Sequence, residues 1–194
     1  MKQFPEFTKD IGIYYEPKDY AGLLKRSITW IIDIVVLGTT FTILWFILYF
    51  TISEEIVAIK IAFWTFFLIT YIYLSILKPS KFRTIGYLAT GIKIVDLYGN
   101  KPSWNTMITR FFLLGFSPLA FIIDILWLTG EQTKQTLRDK YVGTYVVDNN
   151  AIPQGNAPFQ RVVLNFLGWN LIYKEIELKN KVDFKLFNST FKKK

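Results

Sequence analysis

Ser27–Ile52 reads SITWIIDIVVLGTTFTILWFILYFTI, 26 residues carrying one charge, Asp33, with Arg26 at the entrance. A helix of about 20 residues at roughly 1.5 Å per residue crosses a bilayer, so this run is long enough to do so. A carboxylate inside such a helix costs about 2.5–3.5 kcal/mol on insertion scales. Neighbouring protein must offset that cost, and what does so bears on function.

Two more apolar runs follow. Ile56–Leu77 has one charge, Lys60, and Phe111–Leu128 has one charge, Asp124. With 52% hydrophobic and 18% aromatic residues arranged in such runs, the chain reads as an integral membrane protein rather than a soluble domain. The absence of cysteine excludes disulfides and thiolate chemistry. The absence of histidine removes the usual neutral-pH proton shuttle and the commonest metal ligand. No cleavable signal peptide is expected at the N-terminus, and the first apolar helix is expected to act as the insertion signal.

The net charge of +8 comes from bases that flank the apolar runs. Contact with anionic lipid head groups and retention on one side account for it better than nucleic-acid binding does. Lys2, Lys9, Lys18, Lys25 and Arg26 precede the first run, and Lys78, Lys81, Arg83, Lys93, Lys101 and Arg110 follow the second. Between those two runs stand Ser53, Glu54 and Glu55, without a base. The positive-inside rule then makes the N-terminus and the second loop cytoplasmic, in what reads as a bacterial cytoplasmic membrane.

The third run holds Gly115 and Ser117-Pro118, which favours a kink or a break. A simple crossing would put Lys134, Arg138, Lys140 and the terminal lysines outside, against the charge rule. A re-entrant segment keeps them inside. Gly91–Asp96 and Gly143–Asp148 each read as a short strand, too short to stand alone, and pairing them also requires one side. The expected fold is an all-α membrane protein with two to three transmembrane helices, a kinked or re-entrant third apolar segment and a small cytoplasmic two-stranded hairpin. The expected organisation is a cytoplasmic segment over 1–20, a transmembrane domain over 21–148 and a basic cytoplasmic extension over 149–194. Within that extension, Phe159, Val162, Val163, Phe166, Leu167 and Trp169 suit one face of an amphipathic helix on the inner leaflet. Lys179–Lys194 fits a strand, a lipid-touching tail or disorder equally well.

Several motifs resemble those of a known family. Ala21-Gly22-Leu23-Leu24-Lys25-Arg26 followed by Ile32-Asp33 resembles the start of the first helix of the RDD family. Thr84-Ile85-Gly86, with Gly91–Asp96 and Gly99, is similar to that family's middle segment, and Arg110 falls where an arginine is frequent in the next helix. Gln135–Lys140 with Gly143–Val147 resembles its closing segment, although Arg138 stands where a histidine is common. The likeness runs from about residue 20 to 147. It implies an integral membrane protein connected with transport, a few members being similar in activity to sodium–proton antiporters. It also implies that Arg26, Asp33 and Asp139 are the arginine and two aspartates of the family's name.

Four residues therefore stand out for ion or proton handling, or for structural pairing: Arg26, Asp33, Asp124 and Asp139. Arg26 and Asp33 share a helix face but lie about 10 Å apart in rise, too far to bond directly. Arg26 would snorkel to the lipid heads while Asp33 turns inward. Asp33 reads either as an acceptor that locks helix packing or as a cation or proton site. Asp139 reads either as a helix cap or as a partner for Arg26. Asp124 stands in Ile122–Ile125, an echo of Ile31–Ile34. Asp96 reads as a turn-starting residue. No nucleophile–base set, phosphate loop or metal spacing is present in the sequence, so neither an enzyme nor a cofactor is expected. The two functions to weigh are a small cation/proton transporter, which would need a homo-oligomer, and an accessory or assembly module. The latter would bind a partner membrane protein or anionic lipid through its cytoplasmic face.

Overall fold

A computed structural model describes residues 11–115, 124, 128, 133–166 and 169–176. Strand β1 (Ile11–Tyr14) leads to helix α1 (Leu23–Thr51), and α2 (Glu55–Tyr71) continues as a π-helical turn, Ile72–Leu77. Helix α3 (Ile85–Thr90) precedes β2 (Ile92–Asp96), and α4 (Trp104–Gly115) follows. Helix α5 (Leu137–Val142), β3 (Thr144–Asp148), β4 (Gly155–Phe166) and β5 (Trp169–Ile176) complete the described chain.

Helix α1 has 29 residues and Glu55–Leu77 has 23, and both are long and apolar enough to cross a membrane. At 1.5 Å per residue they measure about 43 and 34 Å, against a hydrocarbon core of about 30 Å. Their outer faces are exposed and greasy, with Ile31, Ile34, Phe46, Trp64 and Leu68 each more than half exposed. Such faces suit lipid or another apolar helix. The third run begins in α4, whose Phe111 ring packs edge-on against Tyr71 and Phe67, while Trp104 meets Tyr71. Most of that run, with the Pro118 break expected within it, lies outside the described residues. Asp124 and Leu128 are helical.

The strands β2 and β3 pair antiparallel from Ile92↔Asp148 to Asp96↔Thr144. They are not a tight hairpin, because α4 and α5 intervene in sequence. The pair is buried on both faces, following the two-residue alternation of strands. Ile92, Ile94 and Val146 pack with Ala21, Tyr87 and Met107 toward the helices. Val95, Tyr145 and Val147 pack with Tyr15, Tyr20, Ala157 and Ile176 on the other side.

Ala157 and Ile176 belong to a second sheet, which corrects the all-α expectation. Its order is β1-β4-β5, antiparallel throughout. The amphipathic helix expected over Phe159–Tyr173 is a strand pair instead, from Phe159↔Ile176 to Phe166↔Trp169. Helical spacing of apolar residues was the misleading signal. Backbone pairing with β5 and β1, and the β-branched Val162 and Val163, favour the extended form. Ile11–Tyr14, before α1, and β4–β5, from the extension, thus share one sheet, and residues from both regions pack on the β2–β3 pair. Lys179–Lys194 lies outside the described residues.

The turn expected at Asp96 is present. Its Oδ1 accepts from the amides of Tyr98 (2.9 Å) and Asn100 (2.8 Å). Backbone bonds from Ala21 to Val146 and from Asp148 to Asp19 tie the start of α1 to β3. The chain therefore gathers residues 11–22, 78–103, 133–166 and 169–176 at one end of the helix pair.

Candidate functional site

Asp139 is the centre of that end. It is the third residue of α5, and a capping box fixes it there. Its amide donates to Thr136 Oγ1 (3.1 Å), and the Thr136 amide donates back to Asp139 Oδ2 (3.3 Å). Gly143 closes the same short helix at φ 68°, a left-handed position that favours glycine. The carboxylate of Asp139 is fully buried and meets two arginines. Arg26 Nη1 donates to Oδ2 at 2.5 Å, and Arg110 Nη1 pairs with Oδ1. Arg110 also donates to Thr144 Oγ1 at 2.6 Å. Burial alone would raise the Asp139 carboxyl. Arg110, Arg26 and Arg138 outweigh it and hold the group well below the usual carboxylate range.

Arg26 does not snorkel. It is buried, and its remaining nitrogens donate to the carbonyls of Ala21 (2.9 Å) and Lys134 (2.7 Å). Asp139 is thus both the cap and the partner of Arg26, two readings that the sequence left as alternatives.

Asp33 lies two turns further along α1 and is also buried. Its Oδ1 accepts from the Tyr73 hydroxyl (2.8 Å) and the Gly86 amide (2.9 Å), and its Oδ2 from Thr84 Oγ1 (3.0 Å). The π turn carries Tyr73, whose hydroxyl also accepts from the Ile85 amide. Gly86 is required by proximity: a Cβ there would sit 2.4 Å from the Thr29 carbonyl oxygen and 2.7 Å from Asp33 Oδ1. Asp124 pairs with Arg138, 3.2 Å to Nη2, and accepts from its amide at 3.3 Å.

These contacts share a pattern. Thr84 caps α3 and Gly91 ends it in the left-handed region; Thr136 caps α5 and Gly143 ends it likewise. Each unit then gives a five-residue strand ending in aspartate. The second amide of each short helix, Gly86 or Arg138, donates to a carboxylate from an apolar run, Asp33 or Asp124. The Ile-Ile-Asp-Ile echo therefore marks two carboxylates in matching roles. The repeated spacing from Thr to Gly was the sequence signal for Thr84, Gly86 and Thr136.

The sequence model of the RDD family matches residues 20–143. The chain belongs to the RDD family. No curated protein and no solved structure matches it. The matched span contains Arg26, Asp33, Thr84, Arg110, Asp124 and Asp139, so the whole charged centre lies inside the RDD domain. The family and the two apolar helices together point to a membrane protein. Strands β4 and β5 lie beyond the match and reach the RDD domain through Lys140, buried on α5, whose amine bonds Glu175 at 3.0 Å.

Proposed function

We propose that this RDD protein is a non-catalytic accessory or assembly module embedded in a bacterial cytoplasmic membrane. Its two apolar helices anchor it, and the Arg26–Asp139–Arg110 cluster holds the stranded head at the cytoplasmic end as a platform for a partner. The observation that carries this reading is the state of Asp33. Three donors converge on its two oxygens. An ionised carboxylate has about four lone-pair sites, so three are taken. A cation entering there would have to displace bonds that also hold α3 against α1.

The head gathers Lys18, Lys25, Lys81, Arg83, Lys93 and Lys101 at one end, opposite Glu54 and Glu55, which supports a cytoplasmic N-terminus under the positive-inside rule. The exposed apolar faces of α1 and α2 suit lipid and a second copy or partner helix alike.

One observation favours cation–proton exchange as a second reading: Asp33 is an ionisable group inside a candidate span, bonded to a phenol. Proteoliposomes separate the two. The module reading expects no sodium- or potassium-driven proton flux from the wild-type chain. Flux that Asp33→Asn abolishes, in a variant with unchanged unfolding temperature, would overturn it in favour of exchange.

A further inference from the structure

Beside the Arg26–Asp139 pair lies a cavity of about 40 Å³, lined by Trp30, Lys78, Arg110, Asp124 and Arg138 as well as Arg26. Space of that size holds about three waters. Its charges do not balance. Four cations, Arg26, Lys78, Arg110 and Arg138, line it with one carboxylate, Asp124, and a second, Asp139, pairs with Arg26 and Arg110 behind the lining. Asp33 also reaches Lys78 with its field, and the cations still outnumber the acids. Excess charge held away from water is costly unless a counter-charge offsets it.

Two of the cations are committed to structural pairs. Arg26 directs its three guanidinium nitrogens at Ala21, Lys134 and Asp139, and Arg110 is held by Asp139 and Thr144. The other two keep donors in reserve. Arg138 Nε is buried without a hydrogen-bond partner among the described residues. Lys78 is half-buried as a residue, and its amine sits 4.7 Å over the Tyr87 ring and forms no ion pair or hydrogen bond among the described residues. Burial, reinforced by Arg110 and Arg138, brings that amine down to about 7, as expected of a cation lacking its anion. Lys78 directly follows the span ending at Leu77, and Arg26 lies in the first turn of the span that begins at Leu23. The cavity therefore lies where the phosphates of a bilayer would lie.

We infer that this cavity is an oxyanion site for a phosphate group, with Lys78 Nζ and Arg138 Nε as its donors. The phosphate comes from an anionic phospholipid head group or from free inorganic phosphate. The site goes beyond the module role and does not depend on it.

The test is thermal unfolding of the full chain in detergent, titrated separately with phosphatidylglycerol, sodium phosphate and a phosphate-free galactolipid. A rise in unfolding temperature with phosphatidylglycerol alone assigns the head group, and a rise with inorganic phosphate assigns the free ion. In either case Lys78→Gln and Arg138→Gln weaken the apparent affinity about tenfold, the worth of one charge-assisted bond. Lys78→Arg retains binding, and Lys81→Gln, at an exposed position, leaves it unchanged. Should Arg138→Gln fail to fold for want of its Asp124 pair, Lys78→Gln decides, because Lys78 holds no such pair. A response equal for galactolipid and phosphatidylglycerol with none to phosphate, or wild-type affinity in Lys78→Gln, would overturn the site. That failure leaves the module reading untouched, since the latter turns on ion flux.

Discussion

Arg26 and Asp139, 113 positions apart in sequence, meet at 2.5 Å in a site closed to solvent. The first comes from the opening turn of α1 and the second from the capping box of α5. Their bond therefore joins the first half of the RDD domain to the last. Arg110 from α4 adds a third element to the same carboxylate. Removing one partner of a buried pair strands the other charge, which typically costs about 3–5 kcal/mol. Asp139→Asn is thus expected to lower stability by that order, measured by thermal unfolding in detergent. Arg26→Met combined with Asp139→Leu should cost less than the two single changes added together, since no stranded charge remains between them.

The same carboxylate sets an acid limit. The arginines depress the folded value of Asp139 far below that of the unfolded chain. Its contribution is complete above the ordinary carboxylate value of about 4 and is lost as pH falls from there toward the folded value. Unfolding temperature should drop below about pH 4 in the wild type and fall less steeply in Asp139→Asn. Equal acid slopes in the two proteins would show that other carboxylates govern the transition.

Gly86 sits where α3 touches α1. An added methyl would collide with the Thr29 backbone oxygen, which cannot step aside as a side chain can. Gly86→Ala is expected to separate α3 from α1 and release Asp33 from its amide donor, lowering the folded yield sharply. Tyr73→Phe is the milder probe. It removes one donor to Asp33 and leaves the Ile85 amide without its acceptor, a loss of about 1–3 kcal/mol. An unfolding temperature unchanged in Tyr73→Phe would remove the phenol from the account.

The head offers a separate test. Ile176, on β5, is buried with Tyr15 and Tyr20 from the segment before α1 and with Tyr145 from β3. Ile176→Ala should cost about 2–5 kcal/mol if the extension is part of the core. A change within experimental error would mean that β4 and β5 fold as a separate appendage.

The two long apolar helices and the β2–β3 pairing were legible in the sequence because each depends on local signals. A single charge in 26 residues marks a span, and Gly91 and Gly143 mark strand starts wherever the rest of the chain goes. The β1-β4-β5 sheet was not legible. Ile11–Tyr14 is too short to announce itself, and Val162 and Val163 fit a helix face until β5 supplies backbone partners. The pairing of Arg26 with Asp139 was legible as one of two readings, but the place of Arg110 and Lys134 beside them was not. Arg26 at a membrane entrance reads equally as a snorkelling residue. Only the fold brings Lys134, Arg110 and Asp139 around it. Lys78 read as one base among several in a loop, and its isolation over Tyr87 is a property of the tertiary structure alone.

That isolation has an alkaline signature. Burial first, then Arg110 and Arg138, bring the Lys78 amine to about 7 from its ordinary 10.5; Asp33 and Asp139 oppose them without prevailing. Between those two values the unfolded chain holds a proton that the folded chain lacks, so folding becomes more favourable as pH rises across the window. Below about pH 7 both forms are charged and the full penalty stands. Lys78→Gln should therefore stabilise the phosphate-free protein at pH 6 and flatten its profile from pH 7 to 10. The buried Tyr20, raised to about 12 and away from Lys78, acts in both proteins and cancels in the comparison. Adding saturating phosphatidylglycerol should flatten the wild-type profile as well, because an anion beside the amine keeps it charged in the fold. A wild-type profile already flat over that range would show that Lys78 meets its counter-charge within the chain.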